Sequence, residues 1–197
     1  MLGVFLDIET SGLDPFLHDP LEIALIIVDL LHGKELGRYE SVLQVTREEW
    51  TRRDPSSIEI NKITLEELVK GKPREQVGRE IEEILFHHSI NNKRAFFICQ
   101  NPSFDRPFFS KIIPQPRQQA LDLPYHWLDL ASMYFAERLI FEQRTQEFAL
   151  GISKDAIAKS LSLAPEQRPH RAMNGVLHLL LCYTSLLGFP GRKAAIY

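Results

Sequence analysis

The chain has 197 residues, 44% hydrophobic and 25% charged, which is enough for one domain with a sizeable core. A formal net charge of −3 argues against a broad basic surface that grips nucleic acid by counterion release alone. It leaves room for a small site where bound metal supplies the positive charge.

The first apolar run, Val4 to Thr10, reads as a strand, and Ser11 to Pro15 is turn chemistry. Leu21 to Asp29 is a second strand. His32-Gly33-Lys34 makes a turn, and Arg38 to Val45 is a third strand. Short links between these three suggest an antiparallel meander. Thr64-Leu65-Glu66-Glu67 has the form of a capped helix start. Pro73 to His88 carries Val77, Ile81, Ile84 and Leu85 at amphipathic helical spacing. Arg94 to Cys99 is a compact strand, and Ser103 is expected to cap a helix through Lys111. His126 to Leu130 is a last short strand that runs into a helix through Arg138. Ser153 caps Lys154 to Ser160, and a final helix runs from His170 or Arg171 to Leu187. Glu142 to Leu150 and Ala164 to Pro169 are the expected mobile loops. Strands first, then alternating strand and helix, describe a mixed α/β sheet with helices packed on it. The expectation is a single domain over residues 1–197.

Cys99 and Cys182 both lie in apolar stretches, which suggests buried thiols in a reducing compartment. No secretory signal is visible, and the apolar stretch from Val176 to Phe189 is too short for a membrane span. A cytoplasmic protein without a membrane partner is expected.

Chemistry enters with Asp7 and Glu9. Side chains two apart on a strand project together, so these acids share one face. Paired carboxylates at a core edge repel and lose solvation, and a hard divalent cation such as Mg²⁺ or Mn²⁺ relieves both. The competing reading ends the strand at Leu6 and leaves both acids solvated. Asp105 follows the strand ending at Cys99, where acids from neighbouring strand ends can converge. An Asp in a first helical turn also simply complements the helix dipole. His170 enters the last helix, and a lone surface His is more often incidental than catalytic.

Taken together, these residues carry a family resemblance. Asp7-Ile8-Glu9-Thr10-Ser11-Gly12-Leu13-Asp14-Pro15 resembles the first motif of the DEDDh 3′–5′ exonucleases. That family includes the proofreading subunits of bacterial replicative polymerases (DNA polymerase III epsilon), ribonuclease T and oligoribonuclease. Asn101 to Phe108 resembles the second motif, His170-Arg171-Ala172 the start of the third, and Ile63-Thr64 a segment between the first two.

The resemblance implies a ribonuclease H-like fold: a five-stranded sheet of three antiparallel and two parallel strands, flanked by helices. It implies two-metal hydrolysis of the terminal phosphodiester at a single-stranded DNA or RNA 3′ end. Asp7 would bridge the metals, Glu9 would hold the nucleophile-side ion, Asp105 the other, and His170 would be the general base. The backbone from Thr10 to Leu13 would meet the terminal nucleotide, with Gly12 allowing close approach. Leu13 would press on its base, and Asn101 and Phe104 would line the same pocket. Arg106, Lys111 and Arg171 lie close enough in sequence to meet phosphates, or are ordinary solvated residues.

The pattern breaks at one position. The family places an acid five residues after the His, where this chain has Gly175, preceded by Asn174. No Asp or Glu follows Glu166, so one of the two metal positions is expected to be weakened. The readings are an exonuclease with a depleted site, which Gly175→Asp would then improve, or an impaired relative. The latter would bind 3′ ends or serve as a subunit of a replication or repair assembly. The sequence does not choose between DNA and RNA and does not fix the oligomeric state.

Overall fold

Branched and aromatic residues set the sheet, because their side chains pack well on a pleated surface. The computed structural model describes residues 1–141 and 151–191. The loop expected at Glu142 to Leu150 lies outside them. Strands β1 (Leu2–Thr10), β2 (Pro20–Asp29) and β3 (Lys34–Val42) form the antiparallel meander. Strands β4 (Ala95–Cys99) and β5 (Trp127–Asp129) add to the other side of β1 in parallel, giving the order β3-β2-β1-β4-β5. This is the expected mixed five-stranded sheet. The third strand begins earlier than Arg38 and ends at Val42, although Leu43 and Val45 stay buried just beyond it.

Between β3 and β4 come α1 (Arg47–Thr51), α2 (Pro55–Asn61), α3 (Leu65–Val69) and α4 (Arg74–His87). Thr64 caps α3 with Glu67 in the reciprocal box that the sequence predicted. Helix α4 buries Val77, Ile81 and Leu85, as their spacing requires. Helices α1 and α2 were not anticipated. They are short and rest on local caps, Thr46 with Glu49 and Asp54 with Pro55, without an apolar stripe long enough to register.

After β4 come α5 (Pro102–Ile112), α6 (Gln115–Ala120), β5, α7 (Leu130–Phe141), α8 (Lys154–Ser160) and α9 (Ala172–Leu186). Ser103 does not cap α5. Asn101 occupies the N-cap in the left-handed region, with φ of 60°, and Pro102 takes the first helical position. Asn tolerates that conformation, and Pro gives up a donor that would be unpaired there anyway.

Alternation along β1 divides two apolar layers. Val4, Leu6 and Ile8 face α4 and α5, while Phe5 faces α7, α8 and α9. Each such buried side chain contributes about 1.5–3 kcal/mol. Cys99 and Cys182 are buried free thiols in the second layer. No helix among the described residues is long and apolar enough to cross a membrane.

Candidate active site

Strand β1 continues through Thr10, which decides between the two readings of its acids. Asp7 pairs with Ala24 and Glu9 with Glu22 in the ladder to β2. Both acids therefore extend the Phe5 face, beyond the apolar layer that α9 covers. They line a cavity of about 310 Å³ together with Phe104, Asp105, Lys154, Glu166 and His170. The structure thus gathers all three acids and the histidine singled out in the sequence.

Each is positioned by local structure. Parallel pairing of β1 and β4 puts their C-terminal ends at one edge, and Asp105 sits there in the first turn of α5. Asp105 is 3% exposed, accepts a hydrogen bond from the Ile8 backbone N–H, and lies against the Cys99 thiol. His170 precedes α9 and donates its backbone N–H to Ile60 at 3.2 Å. The start of α9 is fixed by Arg171, which grips both carboxylate oxygens of Glu22 at 2.9 and 2.8 Å and reaches Glu67 at 3.0 Å. The Ala172 N–H also donates to Glu22.

Of the residues expected to meet substrate, Phe104 alone lines this cavity. It rests on Phe108, with ring centroids 5.1 Å apart. The Thr10 hydroxyl donates to the Gly12 carbonyl at 2.7 Å, and a Cβ on Gly12 would come within 2.5 Å of the His18 ring. Leu13 is 72% exposed at the turn after β1. Asn101, at the head of α5, donates its backbone N–H to Asp129. Thr10, Gly12, Leu13 and Asn101 do not line the cavity. The three basic residues considered for phosphate contact are engaged within the protein. Lys111 holds Asp19 and the His18 carbonyl, Arg171 holds Glu22 and Glu67, and Arg106 lies over the Tyr125 ring at 5.0 Å.

Two residues of the cavity were missed by sequence reasoning. Lys154 Nζ lies 3.2 Å from Asp7 Oδ1, 2.8 Å from Glu166 Oε2 and 3.3 Å from the Gly175 carbonyl. Glu166 is 5% exposed, and its neighbours tie down the loop expected to be mobile. Its N–H donates to Asp155, and His178 Nε2 bonds Ala164 O at 2.9 Å. A faint signal existed: Lys154 opens α8, where a positive charge opposes the helix dipole.

Gly175 is where α9 passes over β1. A Cβ there would stand 2.5 Å from Asp7 Cγ and closer still to its Oδ2. An acid at position 175 would therefore have to displace the Asp7 carboxylate or α9, because that carboxylate fills the space. Asn174 points elsewhere, lining a separate cavity with Glu22, Lys72 and Arg171.

Burial and mutual repulsion outweigh Lys154 in this group. Burial first, then Asp7 and Glu166, push the Glu9 carboxyl up to about 8. Burial likewise raises Asp7, against the lowering effect of Lys154, and raises Asp105 well above the usual carboxylate range with Asp7 adding to it. Burial disfavours the Lys154 ammonium, but Asp7 and Glu166 reverse that and hold it charged. An acid whose folded value exceeds its unfolded one stabilises fully below the unfolded value, and loses that contribution as pH rises through the folded one. For Glu9 the window runs from 4.5 to about 8, and Asp7 and Asp105 act in the same direction. In chelator the melting temperature should fall between about pH 5 and pH 8.5; a flat profile in differential scanning calorimetry would contradict this placement of the acids.

The sequence matches the family described as Exonuclease, RNase_T, over residues 4–178. No curated protein matches it. Among solved structures, the fold is similar to cell-death related nuclease 4 (CRN-4), with a TM-score of 0.72 and 12% identity over 96% of this chain and 65% of that one. E. coli Exonuclease I in complex with a 5cy-dT13 oligonucleotide gives 0.73 and 17%, over 94% of this chain and 40% of that one. The nuclease domain of 3′hExo, a DEDDh family member bound to rAMP, gives 0.70 and 13%, over 94% and 91%. This chain thus spans 65% of the length of the first and 40% of the second. Identities this low carry the fold, a ribonuclease H-like mixed sheet flanked by helices.

Proposed function

Since the chain belongs to the RNase_T exonuclease family, we propose that it hydrolyses the terminal phosphodiester at the 3′ end of single-stranded DNA or RNA. The observation that carries this reading is the convergence of Asp7, Glu9, Asp105 and His170 on one cavity, from β1, the head of α5 and the entry to α9. Three carboxylates in one crevice, two of them on a single strand face, repel one another, and Lys154 at Asp7 offsets only part of that repulsion.

The donor set suits a divalent cation. Its atoms are hard carboxylate oxygens, and burial, with Asp7 adding to it, raises Glu9 and Asp105, a penalty that a bound cation would relieve. Asp7, Glu9 and Asp105 would be among its ligands, with Mg²⁺ or Mn²⁺ as the ion. When bound, such an ion lowers the pKa of water and offsets the charge of the phosphodiester. His170 would take the proton of the attacking water at a ring nitrogen. Attack at phosphorus breaks the bond to the 3′ oxygen of the preceding nucleotide. That releases a nucleoside 5′-monophosphate and leaves a new 3′ hydroxyl. Leu13 and Phe104 offer apolar faces for a base, a contact that tolerates any sequence. The two buried free thiols fit a cytoplasmic setting.

One observation favours a second reading. The position five after His170 is Gly175, which brings no carboxylate into the cavity. A relative that binds 3′ ends without cleaving them, alone or as a subunit of a replication or repair assembly, accommodates that loss.

The test is incubation of 5′-labelled and 3′-labelled single strands with the protein in Mn²⁺, Mg²⁺ or chelator. The 3′ label should be lost first and as mononucleotide, and only with metal. Intact strands in every condition would exclude the enzyme reading. Salt-sensitive binding of those intact strands would then select the second reading.

A further inference from the structure

The two residues missed in the sequence bear on how many ions the cavity takes. Glu166 Oε1 is buried, on a side chain 2% exposed, yet it has no hydrogen-bond partner. Its Oε2 is occupied by Lys154. Ligand atoms on Glu9, Glu166 and His170 all lie within 4.8 Å of one another. His170 Nδ1 stands 3.7 Å from Glu166 Oε1, beyond a hydrogen bond. A buried carboxylate oxygen without a donor is costly unless something else satisfies it.

On the far side of Glu166, the Lys154 ammonium lies against Asp7 and the Gly175 carbonyl. It is a fixed positive charge at the carboxylate that the two-ion scheme would use as a bridge. Position 175 carries no carboxylate, α9 passes close to Asp7, and a lysine from α8 lies against it.

We propose that Glu166 supplies the fourth carboxylate from a different element, so that one divalent cation is held by Glu9 and Glu166 beside His170, while Lys154 takes the place of the second cation at Asp7. This deepens the reading given under the proposed function, replaces Asp7 and Asp105 by Glu166 in its ligand set, and rests on it for the reaction, though not for the binding of the ion.

The test is Mn²⁺ titration of the full chain at about pH 7.5, followed by the electron paramagnetic resonance of free Mn²⁺ and by calorimetry. The wild type should take up about one ion per chain. Glu166→Gln, which keeps size and polarity, should weaken that ion by about 10–100-fold or more. Lys154→Met should let a second ion bind. Two ions in the wild type would overturn the proposal, as would wild-type affinity in Glu166→Gln. A folded Lys154→Met protein that still binds one ion would overturn the role given to the lysine. The nuclease reading fails separately. Mn²⁺ uptake lost in Glu166→Gln with no strand ever shortened sinks the nuclease and keeps the site. Shortened strands with unaltered Mn²⁺ uptake in Glu166→Gln do the reverse.

Discussion

Gly175→Asp is expected to lower activity, even though it would place an acid where the resemblance to the exonucleases implies one. The new Cβ would stand 2.5 Å from Asp7 Cγ, so either the Asp7 carboxylate or α9 must move. The rest of the acid would add a further negative charge to a cavity already rich in carboxylates. A displacement of about 1 Å at a catalytic group costs on the order of 100-fold in rate. Gly175→Ala separates the two effects. It brings the same steric demand without the charge, and gains roughly 0.5–1 kcal/mol of helix propensity against about 1–3 kcal/mol of overpacking. Both variants should lose about 100-fold in 3′-end degradation, measured at saturating Mn²⁺. A rate gain in Gly175→Asp would mean that the cavity opens readily at α9 and that the glycine is a simple deletion of a ligand.

Lys154→Met is expected to be the most destabilising single change in the cavity when no divalent ion is present. Methionine matches the volume of the lysine stem but leaves Asp7 and Glu166 facing each other. Their side chains are 17% and 2% exposed. Removing one partner from a buried charge network costs about 3–5 kcal/mol. The loss should shrink toward low pH, because protonation of Asp7, whose value is already raised, removes the repulsion. Urea unfolding at about pH 8 and pH 5 measures both, and saturating Mn²⁺ should recover part of the difference at the higher pH. An equal and small loss at both values would mean that the ammonium is replaced by solvent at no cost.

Much of the fold could be read along the chain because it is written in local patterns. The run Leu21 to Asp29 has no helical period, and it forms β2. Val77, Ile81 and Leu85 recur at helical spacing, and they form the buried stripe of α4. The site was legible for a similar reason. Asp7 and Glu9 stand two apart on a strand, so period alone places them together, and Asp105 follows the neighbouring strand in parallel register. What could not be read is tertiary. Lys154 meets Asp7 across 147 positions, and nothing near either residue announces the other. Glu166 lies in a segment whose composition suggests a free loop, yet the Asp155 and His178 hydrogen bonds hold it. Arg171 looked available to phosphates, but it is committed to Glu22 across 149 positions, where it anchors the start of α9. Each of these is a charge whose partner becomes near only after the sheet has formed.

The most direct test follows a 5′-labelled single strand through time with Mn²⁺, comparing the wild type with Asp7→Ala. A ladder that shortens one nucleotide at a time from the 3′ end in the wild type, and no shortening in the variant, is the predicted result. The same ladder from Asp7→Ala would place the chemistry outside the cavity of Asp7, Glu9, Asp105 and His170, and would contradict the site itself.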